Sequence, residues 1–299
     1  MPTSPAETRL EPYARLPRGH HGRTVLDSTV DAEGRAHWLL GEHRPHGAAR
    51  EPYDAVVVTV GDGPPHETQL SALTARFPHL AALPDGGFLV ADSRSRAGDE
   101  QVRVFDALGR LSRTFRVGDA IEHLLTDAAG GLWVGYFDEG VYGDDPLSAP
   151  GLRHWSSTGE SVWSYQPVDG ADWISDCYAL NVSGHTAWAC TYTDFPLLEI
   201  GAGHAIRVRK NPVQGVKGLA VHGDRAVLFG GYGEDHDRLV DCRLTDSTDS
   251  TDSTVRPVAE GRLLGPGGGR LDRRRLVCRG PRLYVQERPG TEWTVLDIG

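Results

Sequence analysis

Lysine and methionine are almost absent from this chain of 299 residues. The lysines are Lys210 and Lys217, and there is one methionine, so nearly all of the 31 basic residues are arginines. Glycine and proline are plentiful, with 37 and 19 residues. This composition is typical of proteins from GC-rich bacterial genomes, and we expect a bacterial origin.

An excess of positive charge is also missing. The chain has 41 acidic and 31 basic residues, which gives a formal net charge of −10. Nucleic acids and anionic membrane surfaces are bound chiefly through clustered positive charge. We therefore expect neither a nucleic-acid partner nor a membrane partner.

Long apolar runs and paired cysteine motifs are lacking as well. The first 16 residues contain no apolar segment of the signal-peptide kind, and no run approaches a transmembrane length. We expect a cytoplasmic protein. The four cysteines show no CxxC spacing and lie within or beside apolar strand patterns, which favours buried free thiols over a zinc site. They are Cys177, Cys190, Cys242 and Cys278.

A repeated hairpin is the main positive signal in the sequence. Residues 121–143 contain an apolar strand, a turn with two glycines and a second strand rich in aromatic and β-branched residues. Residues 77–94 align with this unit without a gap at an offset of 44 residues, so that His79 corresponds to His123. Glycine in such a turn supplies the positive φ that a tight hairpin needs. A period of 40 to 50 residues is typical of propellers or solenoids.

The same unit recurs along the whole chain and predicts an all-β fold. We predict a six-bladed β-propeller of four-stranded blades that forms a single domain over residues 1–299. The N-terminal strand, residues 8–16, is predicted to complete the blade formed by residues 275–298 and so to close the ring and remove exposed strand edges. Residues 245–254 are predicted to be a disordered loop. Helical periodicity is nearly absent and predicts at most a turn or two of helix at residues 67–77.

The predicted blades each consist of two hairpins. Their bounds are residues 26–41 with 54–70, 77–91 with 101–117, 121–136 with 152–166, 174–192 with 197–209, 216–232 with 238–259, and 275–287 with 292–298 plus the N-terminal strand.

The hairpin D-x-x-G-G-L-W-V-G, at residues 127–135, resembles the repeats of NHL, SMP-30-like and regulatory-type bacterial β-propellers. The resemblance extends over the whole chain as a blade pattern and is cleanest in the second and third units. It implies the fold. Propellers of this kind include lactonases, lyases, ligand sensors and protein scaffolds, so the resemblance does not select an activity.

Candidate site residues follow from the geometry of a propeller, in which inner strands begin around a central channel. Counting back from each hairpin turn places Asp27, His79, His123, Asp176 and Lys217 at this channel face. Two histidines at equivalent positions, with Glu122 beside one of them, could bind a divalent metal (Ca, Mg, Mn or Zn) or act as acid and base. The alternative is that both histidines only form hydrogen bonds to neighbouring blades.

The loops that follow the inner hairpins supply a second set of candidates. They offer Tyr136, Phe137 and Asp138 in the third unit and Tyr232 in the fifth. Aromatic rings beside carboxylates favour a polar organic or cationic ligand through stacking and cation–π contacts. A hydrated acidic rim is the alternative interpretation.

Two functional hypotheses follow. The first is a small polar molecule bound at the channel face, with His79 and His123 as candidate catalytic or metal-binding residues of a lactonase-like hydrolase or a lyase. The second is a non-catalytic propeller that binds a protein partner or senses a ligand. No serine lies in a nucleophile-elbow context, so a Ser-His-Asp triad is not predicted.

Overall fold

The computed structural model describes residues 6–45, 51–246, 253–272 and 274–299. The chain divides into two compact units, one formed by Ala14–Tyr165 and the other by Met1–Tyr13 together with Gln166–Gly299. The N-terminal strands are β1 (Ala6–Arg9) and β2 (Glu11–Arg15). Among the described residues, no helix has the length and apolar character needed to cross a membrane.

The unit Ala14–Tyr165 contains three four-stranded sheets in its described part, and sequential strands in each pair antiparallel. The first is β3 (Thr24–Val30), β4 (Ala36–Gly41), β5 (Tyr53–Val60) and β6 (His66–Leu73). The second is β7 (Pro78–Ala82), β8 (Phe88–Asp92), β9 (Val102–Phe105) and β10 (Leu111–Phe115). The third is β11 (Ile121–Thr126), β12 (Leu132–Tyr136), β13 (Leu152–Trp155) and β14 (Ser161–Ser164), with a one-turn helix, α1 (Asp138–Val141), after β12.

The other unit is built from β15 to β25. Its first group of strands is β15 (Asp176–Ser183), β16 (Thr186–Tyr192), β17 (Leu197–Ile200) and β18 (Ile206–Arg209). The second group is β19 (Gly218–His222), β20 (Arg225–Phe229), β21 (Arg238–Thr245) and β22 (Thr254–Leu264), which form a five-stranded sheet with β1. The third group is β23 (Arg274–Arg279), β24 (Arg282–Glu287) and β25 (Glu292–Asp297), and one parallel bridge between β15 and β23 joins it to the first group in an eight-stranded sheet. Strand β2 lies beside β25. The predicted all-β architecture of four-stranded sheets is confirmed.

The two hairpins that repeat at an offset of 44 residues have the same strand pairing in the structure. His79 pairs with Ala91 across the second sheet, and His123 pairs with Gly135 across the third. The turn glycines Gly86 and Gly130 have φ angles of +84° and +85°. These positive values are strained for residues with a side chain, which explains why glycine stands at both turns.

The predicted N-terminal strand of residues 8–16 is two strands in the structure. Strand β1 pairs parallel with β22, whereas β2 belongs to the sheet of β23 to β25. The chain passes from one sheet to the other at Leu10, whose N–H donates to the carbonyl of Leu264 and whose side chain is buried. Gly261 allows β1 to approach, because a Cβ there would lie 2.1 Å from the carbonyl oxygen of Ala6.

The prediction of a short helical stretch at residues 67–77 was wrong, because β6 extends to Leu73. Buried side chains in this strand are Thr68, Leu70 and Leu73. The register shifts between Tyr53 and Ala55 of the partner strand, and Ala72 has a φ of +59°. The resulting bulge places a three-residue step between Leu70 and Leu73, which imitates helical spacing.

Apolar faces pack between consecutive sheets within each unit. Leu39 and Val57 of the first sheet pack with Leu80 of the second, for example. All four cysteines are buried and free, as predicted. Burial raises the pKa of Cys278 to about 11, so it is held as a neutral thiol.

Of the predicted disordered loop, residues 247–252 lie outside the described residues. Its flanks are part of a regular hairpin, because Thr245 at the end of β21 pairs with Thr254 at the start of β22. Their hydroxyl groups are 2.7 Å apart.

Candidate functional site

The two predicted channel histidines lie at equivalent positions on neighbouring strands of one unit. His79 is on β7 and His123 is on β11, and both side chains are half-buried. Glu122, also on β11, is exposed. Among the residues that the structure describes, no group of three or more His, Cys, Asp or Glu side chains is arranged to hold a metal ion. The metal-binding role of these residues therefore stays a prediction.

Asp27 connects two sheets instead of facing solvent. Its buried carboxylate on β3 accepts a hydrogen bond of 2.6 Å from the backbone N–H of Leu80 on β7. A carboxylate that satisfies a buried N–H group is needed for the packing of these strands. Asp27 thus has a structural role that the sequence analysis did not predict.

Tyr136 does not belong to a ligand-facing surface. Its side chain is 0% exposed, and its hydroxyl donates to the carbonyl of Val117. Burial raises the pKa of this phenol well above its usual range. Tyr136 is the last residue of β12, and the loop begins at the next residue. The sequence pattern could therefore not separate Tyr136 from the exposed residues that follow.

Phe137 and Asp138 lie in a loop that Arg94 organises. The guanidinium of Arg94 lies 5.7 Å from the centroid of the half-buried Phe137 ring. It also forms ion pairs with Asp119 and Glu139. Asp138 is exposed and begins α1, where its carboxylate accepts the N–H of Glu139. Glu139 of this loop is therefore paired with Arg94, which follows β8.

A cluster of aromatic rings around one lysine lies in the other unit. We call it the tyrosine–lysine cluster, and it consists of Tyr178, Tyr192, Phe195, Lys217 and Tyr232. Tyr178 is on β15, Tyr192 ends β16, and Phe195 lies in the loop before β17. Lys217 immediately precedes β19, and Tyr232 follows β20. Of these residues, the sequence analysis predicted Lys217 at the channel face and Tyr232 in a loop after an inner hairpin.

The rings of the cluster contact one another closely. Tyr178 is stacked on Tyr192 at an angle of 17° with ring centroids 5.8 Å apart. Phe195 meets Tyr178, Tyr192 and Tyr232 edge-on at 5.1, 5.7 and 6.3 Å. The hydroxyl of Tyr232 donates to that of Tyr178 over 3.4 Å. The ammonium nitrogen of Lys217 is 3.4 Å from the centroid of the Tyr178 ring, which is a close cation–π contact.

The local backbone explains why these side chains converge. Phe195 is 2% exposed and has a φ of +54°, and the side-chain amide of Asn211 donates to its carbonyl at 2.9 Å. The same amide group accepts the N–H of Val213. Gly215 passes close beneath Tyr232, because a Cβ there would lie 3.2 Å from the Tyr232 ring. Phe195 therefore forms a fixed floor under tyrosines that remain open to solvent.

Solvent reaches two of the rings, and the loops that carry them bear acidic residues. Tyr192 is 39% exposed and Tyr232 is 54% exposed. Burial raises the pKa of Tyr178, and the Tyr232 hydroxyl and the charge of Asp176 raise it further. The loops that carry the cluster also bear exposed carboxylates, namely Asp172, Asp194, Glu234 and Asp235. The arrangement is an open aromatic surface in an acidic setting.

Sequence reasoning found part of this cluster. It predicted Asp176, Lys217 and Tyr232 as ligand-binding residues, and the structure brings Lys217 and Tyr232 together around Tyr178. It did not single out Tyr178, which lies inside a strand two residues after Asp176. The register of β15 against β16 shifts between Cys177 and Ala179, so Tyr178 lies in a bulge that regular strand alternation does not predict.

A separate cavity of about 560 Å³ lies at one end of the first sheet of the unit Ala14–Tyr165. Charged residues of both signs line it, including Arg23, Glu42, Asp54 and Arg76. Asp54 already accepts the N–H of Ala72. The charges of this lining largely balance and do not select a class of ligand.

The fold is that of β-propellers of known structure. The chain is similar to Hsv2 from Kluyveromyces lactis, with a TM-score of 0.53, 10% identity, and 93% of this chain and 75% of that chain covered. It is similar to virginiamycin B lyase from Staphylococcus aureus, with a TM-score of 0.50, 10% identity, and 95% and 98% covered. It is also similar to the β-propeller domain of Cps50 (Swd1) from Myceliophteria thermophila, with a TM-score of 0.50, 11% identity, and 97% and 100% covered. No family model and no curated protein matches the sequence. At such low identity these likenesses show that the chain has a β-propeller fold, and they show the fold alone.

Proposed function

We propose that this chain is a small-molecule-binding β-propeller whose ligand lies on the tyrosine–lysine cluster. The observation that carries the proposal is the convergence of Tyr178, Tyr192 and Tyr232 on one solvent-accessible surface over a buried floor. Rings that are open to solvent yet fixed in position are suited to stacking against a ligand, because little conformational entropy is lost on binding.

Binding to a panel of polar organic molecules tests this proposal. Thermal shift measurements would identify compounds that raise the Tm of the protein, because a ligand of the folded state stabilises it. The Tyr232→Ala variant should weaken the binding of a true ligand about tenfold, as expected for the loss of one aromatic contact. Tyr142→Ala is the matched control, since Tyr142 is 74% exposed and lies in the other unit.

Binding that is equally strong in both variants would contradict the proposed site. The absence of any ligand that depends on Tyr178, Tyr192 or Tyr232 would also contradict it, and would favour the second hypothesis of a protein-binding propeller. For that hypothesis Phe137 and the exposed Tyr142 are the residues to change, and loss of a partner in those variants would support it.

A second candidate function is acid–base catalysis at His79 and His123. It is favoured by their equivalent register on neighbouring strands and by their partial exposure. A hydrolase acting on lactones, or a lyase, would use one imidazole as base and the other as acid. Replacement of both by alanine should then abolish turnover while the Tm stays close to that of the wild type. Full activity in the double variant would exclude this role.

The blade count and ring closure belong to the same proposal. Three four-stranded sheets in the described part of Ala14–Tyr165 support three blades. The other unit supports three more: β19 to β22, which carry β1 at their edge, and the two halves of an eight-stranded sheet, β15 to β18 and β23 to β25 with β2, which one bridge between Asn181 and Cys278 joins. We propose that all 299 residues form one domain. The bacterial origin and the cytoplasmic location stay predictions.

A further inference from the structure

The tyrosine–lysine cluster already contains a cation. The ammonium group of Lys217 contacts the face of Tyr178, and the remaining rings of the cluster surround Tyr178 on other sides. Lys217 is one of two lysines in a chain with 299 residues. The position of its ammonium nitrogen therefore marks a place in this cluster where a positive charge is stabilised by an aromatic ring.

The contact of Lys217 is one that a ligand can replace. Its residue is exposed, and its ammonium group contacts the Tyr178 ring. An exposed cation–π contact is weak, and the lysine stem has several rotatable bonds. A cation from solution can thus displace the lysine without breaking a buried ion pair.

The position of the Lys217 ammonium, together with nearby carboxylates, favours a cationic ligand over an anionic one. Asp176 lies on the same strand as Tyr178 and acts electrostatically on its phenol. Four further exposed carboxylates lie on the loops of the cluster: Asp172, Asp194, Glu234 and Asp235. Arg262 and Arg270 also donate to the backbone of Glu234, so the carboxylates alone do not select the charge of the ligand. The ammonium group of Lys217 on the face of Tyr178 is the observation that selects a cation.

We infer that the ligand of this site carries an alkylammonium or quaternary ammonium group, and that Lys217 is an internal competitor for the face of Tyr178. This inference rests on the proposed function, and it adds the chemical class of the ligand and the residue that limits its affinity. Tyr192 and Tyr232 would contact the remaining faces of the bound cation. Removal of the Lys217 charge should therefore strengthen the binding of cations.

Calorimetric titration with choline tests this inference, with 3,3-dimethylbutan-1-ol as its uncharged isostere. Choline should bind the Lys217→Met variant about threefold to fivefold more tightly than the wild type, the change expected when a competing exposed cation–π contact is removed. The isostere should bind neither protein measurably. Lys210→Met is the matched control, because it removes the only other lysine charge from an exposed position, and it should leave the affinity unchanged.

Ring variants complete the test. Tyr178→Leu should remove choline binding, and Tyr192→Ala, at an exposed position, gives the same information if Tyr178→Leu fails to fold. Failure of choline to bind Lys217→Met would overturn the inference, and so would weaker binding in that variant than in the wild type. An acidic compound from the panel that requires both Tyr232 and Lys217 would overturn the inference while leaving the proposed binding site intact. A panel in which no compound depends on the tyrosines would instead overturn the proposed function.

Discussion

At the scale of single residues, buried carboxylates hold the hairpin turns. Asp31 accepts hydrogen bonds from His37 at 3.0 Å and from the Arg35 guanidinium at 2.7 Å, and the other nitrogen of His37 lies 2.9 Å from the Thr59 hydroxyl. In the third sheet His154 bonds to Asp127 at 3.0 Å. Such bonds stabilise a turn through its ionised carboxylate.

The pH dependence of stability should reveal the role of Asp31. Burial alone would raise its pKa, but the hydrogen bonds and charges of His37 and Arg35 outweigh burial and hold the pKa far below its usual value. Because the folded-state pKa is lowered, the stabilisation is full above the unfolded value near pH 4 and is lost as the pH falls below it. Asp31→Asn should therefore reduce the free energy of unfolding at pH 7 by about 2–3 kcal/mol.

Urea unfolding at pH 7 and pH 3 measures this effect. The difference between wild type and Asp31→Asn should shrink at pH 3, and the exposed Asp62→Asn in the same unit serves as the control. A difference that stays constant between the two pH values would show that the Asp31 carboxylate is not held ionised by its neighbours.

At the scale of elements, the strands of one unit meet at a single buried side chain. Asn181 on β15 donates to the carbonyls of Leu219 and Gly280, both at 2.9 Å, and accepts the N–H of Gly280 at 2.7 Å. It also pairs with Cys278 in a parallel bridge between β15 and β23. One amide thus satisfies backbone groups of β19 and of the turn that follows β23.

Replacement of Asn181 by leucine should be costly for this reason. The change leaves the buried N–H of Gly280 and the carbonyl of Leu219 without their side-chain partner, with an expected loss of about 2–3 kcal/mol in the free energy of unfolding. Ser183→Ala, at the exposed end of the same strand, should change stability by less than about 0.5 kcal/mol. Equal stability of the two variants in urea unfolding would show that Asn181 does not join the sheets energetically.

Most of the elements were predictable because the hairpin repeat fixes both strand length and turn chemistry. The repeat placed His79 and His123 at the same register, and the structure has them there. It failed where the backbone departs from regular pairing, as in the bulge of β6. It also could not show that residues 8–16 turn at Leu10, since that turn depends on burial between strands distant in sequence. The partners of Asp27 and Tyr178 were unpredictable for the same reason.

At the scale of the whole molecule, the negative charge and the β-propeller fold are the properties that bear on function. The net charge of −10 suits a protein that attracts cations, in agreement with the acidic loops around the tyrosine–lysine cluster. The expectation of no nucleic-acid or membrane partner follows from this charge. The position of the cluster, in contrast, depends on how loops from two sheets of one unit converge.

The single-domain proposal predicts one cooperative unfolding transition. If the two compact units depend on each other for stability, calorimetry should show one heat-absorption peak whose calorimetric and van't Hoff enthalpies agree. Two resolved transitions would show that Ala14–Tyr165 and the rest of the chain unfold independently, and would contradict a single domain.

The most direct test of ligand binding at the tyrosine–lysine cluster is a crystal structure of the protein with choline. The proposed site predicts electron density for the ammonium group against Tyr178, with Tyr192 and Tyr232 in contact and the Lys217 side chain displaced. Density for choline at a different place, such as the cavity lined by Arg23 and Arg76, with Lys217 still on the Tyr178 ring, would contradict it.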